Sequence, residues 1–584
     1  MEMTPGVSIR LRFGSFEVDT NARELRKRGL RLRLQEKPFQ ILELLLETPG
    51  EVITREELQR RLWPDVFVGF DRNLNTAINS LRHALGDSAR SPRFIETCQR
   101  RGYRFIAPVE RLGDPRRQAA PAQESIDSVA VLPFRNDAQD PELEYLSDGI
   151  TESIINALSQ LPGVRVMARS TMFRFKGQDV DPQKVGRELS VRTILTGNVL
   201  QHGDTLNIDI ELVDVHNGWR LWGAQYHRRP SDILVIQQEI SSDTSEKLRL
   251  HLTGEEKDRL ARRHTHSVEA YRDYLKGRYH VNSLTEDGLR RAIAHFQLAI
   301  EIDPKFALPW AGLAECYNLA GLFSLLHPRE TAPKAKQAAL NALTLDDTLA
   351  EAHAALAGIF KTCEWNWEAA EKEYRRALEL NPNYATAHRL YADFLSSMGR
   401  PKEAIREIGR AQELDPLSLV INMEVGWNYY IARDYDRAMA HSLKALDMDP
   451  KFDPARHTLG LSYLQLGKLD DAIAELQRVL DGSRGNPACL AALGHALALA
   501  GCRPLARDAL KEMQDRSQSG YVSPYLSALV YTGLSENELA LDAIDRAILE
   551  HDAWLVWLKT EPRLDNLRHF PRFDGFLQRL GFLP

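Results

Sequence analysis

The chain has 584 residues, 43% of them hydrophobic and 27% charged, with a formal net charge of −6. That is an ordinary globular composition, long enough for three or more domains. No uninterrupted apolar run reaches the roughly 18–20 residues that span a bilayer. The longest, Ala488–Gly501, includes His495, and the opening MEMTPGVSIR lacks the apolar core of a signal peptide. The cysteines (Cys98, Cys316, Cys363, Cys489 and Cys502) are scattered with no CxxC pair, which predicts reduced thiols and a cytoplasmic setting.

Leu11–Leu34 alternates apolar and polar residues around turn signals at Asp19–Asn21 and Gly29, predicting a small antiparallel sheet. Pro38–Glu47 has helical apolar periodicity. Thr54–Leu62 begins with a capping Thr54 and a Glu57 three residues on, the capping-box arrangement. In Asp71–Leu85, Leu74, Ile78, Leu81 and Leu85 form one apolar stripe that must face a core. The opposite face holds Arg72, Asn73, Thr76, Asn79, Ser80 and His83, short and mostly uncharged groups suited to base edges. A merely solvated helix would carry more Glu and Lys pairs there. Gly86 is placed to stop the helix, and Phe94–Ile106 (FIETCQRRGYRFI) reads as a basic hairpin. Residues 1–110 carry 19 Lys and Arg against 15 Asp and Glu, a balance of +4 that leaves −10 for the remainder. A basic excess at one end suits a DNA module on a body that does not bind DNA.

Helix followed by basic hairpin is the order of a winged helix-turn-helix. The landmarks Leu58, Leu62–Trp63, Asp71–Arg72, Ile78, Leu81–Arg82, Leu85, Ile95, Thr97 and Gly102–Tyr103–Arg104–Phe105 extend the match. From about Arg10 to Val109 the chain resembles the OmpR/PhoB-type (CadC-like) domain, a four-stranded sheet before three helices and a closing hairpin. The resemblance implies a DNA-facing set of Trp63, Arg72, Asn73, Thr76, Asn79, Ser80, Arg82, Thr97, Gln99, Arg100, Arg101 and Tyr103. Within it, Trp63, Arg72, Asn73 and Tyr103 match phosphate-holding positions. Thr76, Asn79 and Ser80 match base-facing ones, and Thr97 with the wing tip Gln99–Arg101 the outer contacts. Gln99 stands where the family often has a minor-groove Arg, with Arg100 and Arg101 next to it. For Trp63 a buried packing role remains open beside the functional one.

Leu112–Ser125 reads as a Pro- and Ala-containing linker. Beyond it we expect a strand over Ser128–Phe134, a helix over Tyr145–Gln160, a strand over Val164–Ala168 and a helix over Pro182–Leu189. A strand over Thr193–Gln201, two alternating strands through Trp222 and a helix over Ile233–Leu252 complete a small α/β domain. It resembles, loosely, the TolB-N/FlgO-like domain, which carries no chemistry over to particular residues. Asp209 and Glu211 fall on the solvated face of a strand. The expected division is 1–110, linker 111–125, α/β domain 126–255 and repeats 256–584.

From Tyr271, Asp/Asn-Pro pairs recur at Pro304, Pro382, Pro416 and Pro450, the last three spaced by 34, each after an Ala-rich helix end. Gly426, Tyr429, Ala438 and Ala445, and again Gly460, Tyr463 and Ala472, fit the 34-residue tetratricopeptide repeat. Seven or eight repeats reach roughly His551, with Pro562–Gly581 as a closing helix. The concave face of such an array binds a protein or peptide segment. Arg389, Asp393, Met423, Trp427, Tyr430 and His457 are expected on it, although the stripe Met423, Trp427 and Tyr430 suits packing between repeats better than peptide binding.

GxG, GxxxxGK[ST], GxSxG and HExxH are all missing. His264 and His266 fit a basic linker better than a metal site. The sequence therefore predicts a multi-domain, cytoplasmic, bacterial-type transcription regulator without cofactor, metal, membrane association or enzymatic activity. Its expected partners are double-stranded DNA and a protein or peptide in the repeat groove, with dimers on tandem half-sites as the family implies. Two other readings remain open. One is a repeat scaffold or signalling adaptor whose winged helix contacts protein, for example RNA polymerase, and whose α/β domain binds a small ligand. The other is a regulator with an unrecognised ligand-converting site in the α/β domain.

Overall fold

The computed structural model describes residues 10–582 apart from 14–15, 20–22, 28–29, 33, 64–69, 90–91, 99–100, 108, 113–125, 137–140, 203, 230–231, 249–263, 282–285, 323–327, 483–485 and 519. The chain divides into two compact units, Met1–Glu124 and Ser125–Pro584.

In the first unit, β1 (Arg10–Phe13), β2 (Phe16–Asp19), β3 (Glu24–Lys27) and β4 (Leu30–Leu32) form an antiparallel sheet. Then come α1 (Glu36–Glu47), β5 (Val52–Thr54), α2 (Arg55–Leu62) and α3 (Phe70–Leu85), with the hairpin β6 (Ile95–Cys98) and β7 (Gly102–Phe105). One strand departs from expectation. β8 (Glu110–Leu112) pairs with β1, making the sheet five-stranded in the order β4-β3-β2-β1-β8. Leu112 thus ends the domain rather than opening the linker, because a short strand beside a distant partner has no local periodicity to betray it. The rest of the linker lies outside the described residues. The core joins Phe13, Phe16 and Phe105 of the sheets to Leu42, Leu58, Leu74 and Ile78 of the helices. Thr54 caps α2 by accepting the Glu57 N–H at 3.1 Å.

The second unit opens with a mixed sheet in the order β11-β9-β12-β13-β14. Its strands are β9 (Ser128–Val131), β10 (Arg135–Asn136), β11 (Arg165–Val166), β12 (Thr193–His202), β13 (Thr205–Asp214) and β14 (Arg220–Arg228). Its helices are α4 (Pro141–Ser159), α5 (Arg169–Met172), α6 (Pro182–Glu188) and α7 (Ile233–Lys247). β14 runs past the expected end at Trp222, and α5 was not anticipated. Alternation on β13 is strict: Leu206, Ile208, Ile210 and Leu212 are buried while Asp209 and Glu211 are exposed.

Eight antiparallel helix pairs follow among the described residues, from Val268–Val281 with Glu286–Ile302 to Pro524–Gly533 with Asn537–Leu549. Small residues let paired helices close up. A Cβ at Gly426 would lie 2.9 Å from Ser442 Oγ and 3.1 Å from the Ala438 carbonyl. The expected closing helix is two pieces, a 3-10 turn at Pro562–Leu567 and a helix at Pro571–Arg579, preceded by a 3-10 turn at Ala553–Trp557.

The α/β domain is docked on the repeats. Turn residues between successive pairs supply the contacts. Asn381 Nδ2 donates to Ser159 Oγ at 2.9 Å, and Asn383 Nδ2 to the Ser159 and Val164 carbonyls at 3.0 and 2.8 Å. One repeat further on, Asp415 accepts from Ser170 and from Thr171 Oγ1, while the Ala168 N–H donates to the Leu414 carbonyl at 2.9 Å. Asn381, Asn383, Asp415, Ser159 and Thr171 are buried, and their hydrogen bonds fix orientation.

Candidate nucleic-acid interface and repeat groove

The α3 stripe falls as its spacing predicts: Leu74, Ile78, Leu81 and Leu85 are each at most 1% exposed. The other flank faces out. Arg72, Asn73, Thr76, Asn79 and His83 are exposed and Ser80 half-buried. Thr76 Oγ1 donates to the Arg72 carbonyl at 2.8 Å, one turn back. At the C-terminus Gly86 takes φ +63°, the left-handed conformation of a helix stop.

The wing is tied to α3 by Asp87 and Arg55, residues that spacing alone does not mark. The Asp87 carboxylate accepts the backbone N–H groups of Ser88, Arg93, Phe94 and Ile95 at 3.0, 2.7, 3.2 and 2.8 Å. Partial burial alone would push its pKa up, but these donors outweigh it and hold the carboxyl below the usual aspartate range. Arg55 reaches Asp71 Oδ1 at 2.5 Å, Asn75 Oδ1 at 3.4 Å and the Tyr103 hydroxyl at 3.2 Å, joining α2, α3 and β7. Gly102 is demanded by space, since a Cβ there would sit 1.9 Å from the Ile53 carbonyl oxygen on neighbouring β5.

Two expected DNA-facing residues turn inward. Arg82 is 7% exposed, and one guanidinium nitrogen donates to the Ile95 carbonyl at 3.0 Å and to Thr97 Oγ1 at 2.8 Å. It sits on the flank of α3 that meets β6, so it clamps the wing instead of reaching outward. The Tyr103 ring is buried, and its hydroxyl donates to Asn75 Oδ1 at 3.1 Å. Both side chains are engaged within the domain. Trp63 is half-buried, edge-on to Phe70 at 5.7 Å, with Lys37 Nζ over its ring at 5.4 Å. Thr97 and Arg101 are exposed, whereas Gln99 and Arg100 lie outside the described residues.

In the repeats, two of the apolar trio, Trp427 and Tyr430, are met from within the chain. Tyr430 is fully buried and donates to Glu561 Oε1 at 2.9 Å. Trp427 meets Trp557 edge-on at 5.1 Å. Glu561 also holds Arg563 through Nε at 2.9 Å, both side chains at most 3% exposed. Thus the tail after the last repeat fills the place where Trp427 and Tyr430 were expected to meet a partner. Arg389 pairs with Glu424 at 2.5 Å and Asp393 with Lys361, while Met423 and His457 face the remaining cavity.

Comparison with known proteins matches each region separately. Residues 29–105 match the family described as transcriptional regulatory protein, C terminal. Residues 124–242 match the HilA/YgeH-like transcriptional regulator, second domain, and 366–420 with 429–496 match the tetratricopeptide repeat. The chain is 25% identical over 547 residues to the transcriptional regulator HilA of Salmonella typhimurium, covering 92% of this chain and 86% of that one. It is 36% identical over 214 residues to putative adenylate cyclase 3 of Rhizobium meliloti, spanning 36% of each. Over 131 residues it is 36% identical to the cholera toxin homolog transcriptional activator of Vibrio parahaemolyticus, covering 21% of this chain and 43% of that one. The middle domain's match is thus to the HilA/YgeH-like second domain, where a TolB-N/FlgO-like one was expected.

Proposed function

Proceeding from a DNA-binding transcription regulator with a tetratricopeptide region, we propose that α3 reads sequence through Thr76, Asn79 and Ser80, with Asn73 on the backbone side. Arg72, Trp63 and the wing residues Thr97 and Arg101 hold the sugar-phosphate backbone. The observation that carries this reading is the division of α3 itself: a sealed apolar stripe opposite an exposed face of uncharged donors and acceptors. Arg82, Asp87, Arg55 and Tyr103 act through others, fixing the wing beside that face. The repeat region is the sensing and protein-binding part, and the α/β domain docked on it couples the two. RNA polymerase contact and paired copies on tandem half-sites complete the proposal, with the cytoplasm as setting. Among the described residues no helix is long and apolar enough to cross a membrane. We read the chain as non-catalytic, in keeping with its regulator relatives.

The test compares full-length wild type with Asn79→Ala/Ser80→Ala and with Arg72→Ala on selected genomic fragments and on random DNA. The double variant is expected to lose discrimination, about 1–3 kcal/mol per good base contact, more than bulk affinity. Arg72→Ala should weaken every sequence alike and flatten the salt dependence. Equal losses on all sequences by both variants would refute base reading by this helix.

A further inference from the structure

The tail that covers Trp427 does not fill the whole inside of the array. A cavity of about 630 Å³ remains, walled by repeat helices and by the turn Ala553–Trp557. That volume suits a small molecule rather than a folded partner. Its lining combines aromatic faces, Trp427 and Trp557 among them, with charges of unequal number.

Glu315, Glu351, Asp393, Glu424 and Asp453 line it, against two cations, Lys361 and Arg389. Both cations are already committed, Lys361 to Asp393 and Arg389 to Glu424. Glu315 pairs with Arg278 at 2.7 Å. Arg278 with Arg169 also serves Glu152 of the α/β domain, each at 2.9 Å. Glu315 is thus answered, and the excess lies with Glu351 and Asp453. Among the described residues Glu351 has no ion pair. Burial pushes its carboxyl above the usual glutamate range, offset only in part by its own backbone N–H and, less, by Arg278. Two polar atoms are unanswered. The second carboxylate oxygen of Glu424 and Nε2 of His457 are buried without a hydrogen-bond partner. Burial holds the His457 imidazole down to about 4, so it adds no positive charge near neutral pH. An anionic excess in a low-dielectric cavity is unfavourable until a cation enters, and indole faces attract the same charge, as Lys361 Nζ over the Trp557 ring at 5.4 Å already illustrates.

We propose that this cavity is the binding site of a small organic cation, an ammonium, amidinium or guanidinium on a flat apolar body. The charged head lies toward Glu351, and the body lies against Trp427 and Trp557. This goes beyond the protein-binding reading of the repeats and does not depend on how α3 engages DNA.

Full-length protein is titrated calorimetrically with benzamidine and tyramine as cations, benzoate as anion and benzyl alcohol as neutral control, with an eight-residue arginine peptide alongside. The expected result is single-site binding of at least one small cation, at least about tenfold tighter than benzoate or benzyl alcohol. Glu351→Gln should weaken that cation by about tenfold or more while retaining a cooperative melt. Trp427→Phe provides a second arm that leaves the carboxylates in place and still weakens binding. Failure of both cations to bind, equal binding of anion and cation, or indifference to both substitutions overturns the proposal. Saturable binding of the arginine peptide alone also overturns it, by placing a polypeptide there. DNA affinity, measured on the same preparations, reports separately on α3.

Discussion

Two helix faces looked alike as candidate contact surfaces, yet only one of them faces outward. On α3 the polar flank is exposed, because the stripe that defines it is buried by neighbours within the same small unit. In the repeats, the Met423–Trp427–Tyr430 stripe meets residues more than a hundred positions later: Tyr430 bonds Glu561 and Trp427 packs on Trp557. A helix face can be read from periodicity alone, whereas a concave surface belongs to whichever segment arrives first. Here that segment is the chain's own tail.

The contrast can be broken most forcefully at the tail. Glu561→Ala leaves Arg563 buried and removes the acceptor for Tyr430. We expect the second unit to lose about 3–5 kcal/mol, the scale for stripping one partner from a buried ion pair. Urea unfolding followed by fluorescence measures it; a loss below about 1 kcal/mol would mean that the tail is not integral to the array.

A smaller effect is expected at Asp87, where the N-terminal unit holds its wing. Asp87→Ala removes an acceptor from four backbone N–H groups and should loosen the wing by about 2 kcal/mol. Hydrogen exchange at the amides of Arg93, Phe94 and Ile95 reads this directly. The folded carboxyl titrates below its unfolded value. Its contribution is therefore full above the unfolded aspartate pKa of about 3.9 and fades as pH falls through the folded one. In wild type, protection of these amides should decline on acidification within that range, and Asp87→Ala should abolish the dependence. Unchanged exchange in the variant would leave Arg82 as the principal wing clamp.

The smallest stability effect belongs to the outward face. Arg72→Ala should alter folding stability by no more than about 0.5 kcal/mol while lowering the slope of log affinity against log salt by about 1. A substantial stability loss would show Arg72 to be part of the domain's own packing.

Legibility in the sequence followed the range of the interactions. The α3 stripe, the Thr54 cap and the Gly86 stop depend on residues within a few positions and were readable from spacing. The 34-residue period disclosed the repeats for the same reason. β8 escaped because its only signal is pairing with β1 about a hundred residues earlier. Arg82 escaped because nothing local says that a basic residue beside the stripe will bend toward β6. Asn381 and Asp415 were readable as helix-ending punctuation, but their grip on the α/β domain was not.

That grip has a consequence for how such a chain can change in length. A free solenoid tolerates duplication or loss of a unit, since each module touches only its neighbours. Here Asn381 with Asn383 and then Asp415 hold one rigid body at two points a single period apart. Adding or deleting a module between those anchors would put the α/β domain out of phase with its mounts, so growth is confined to stretches outside that span.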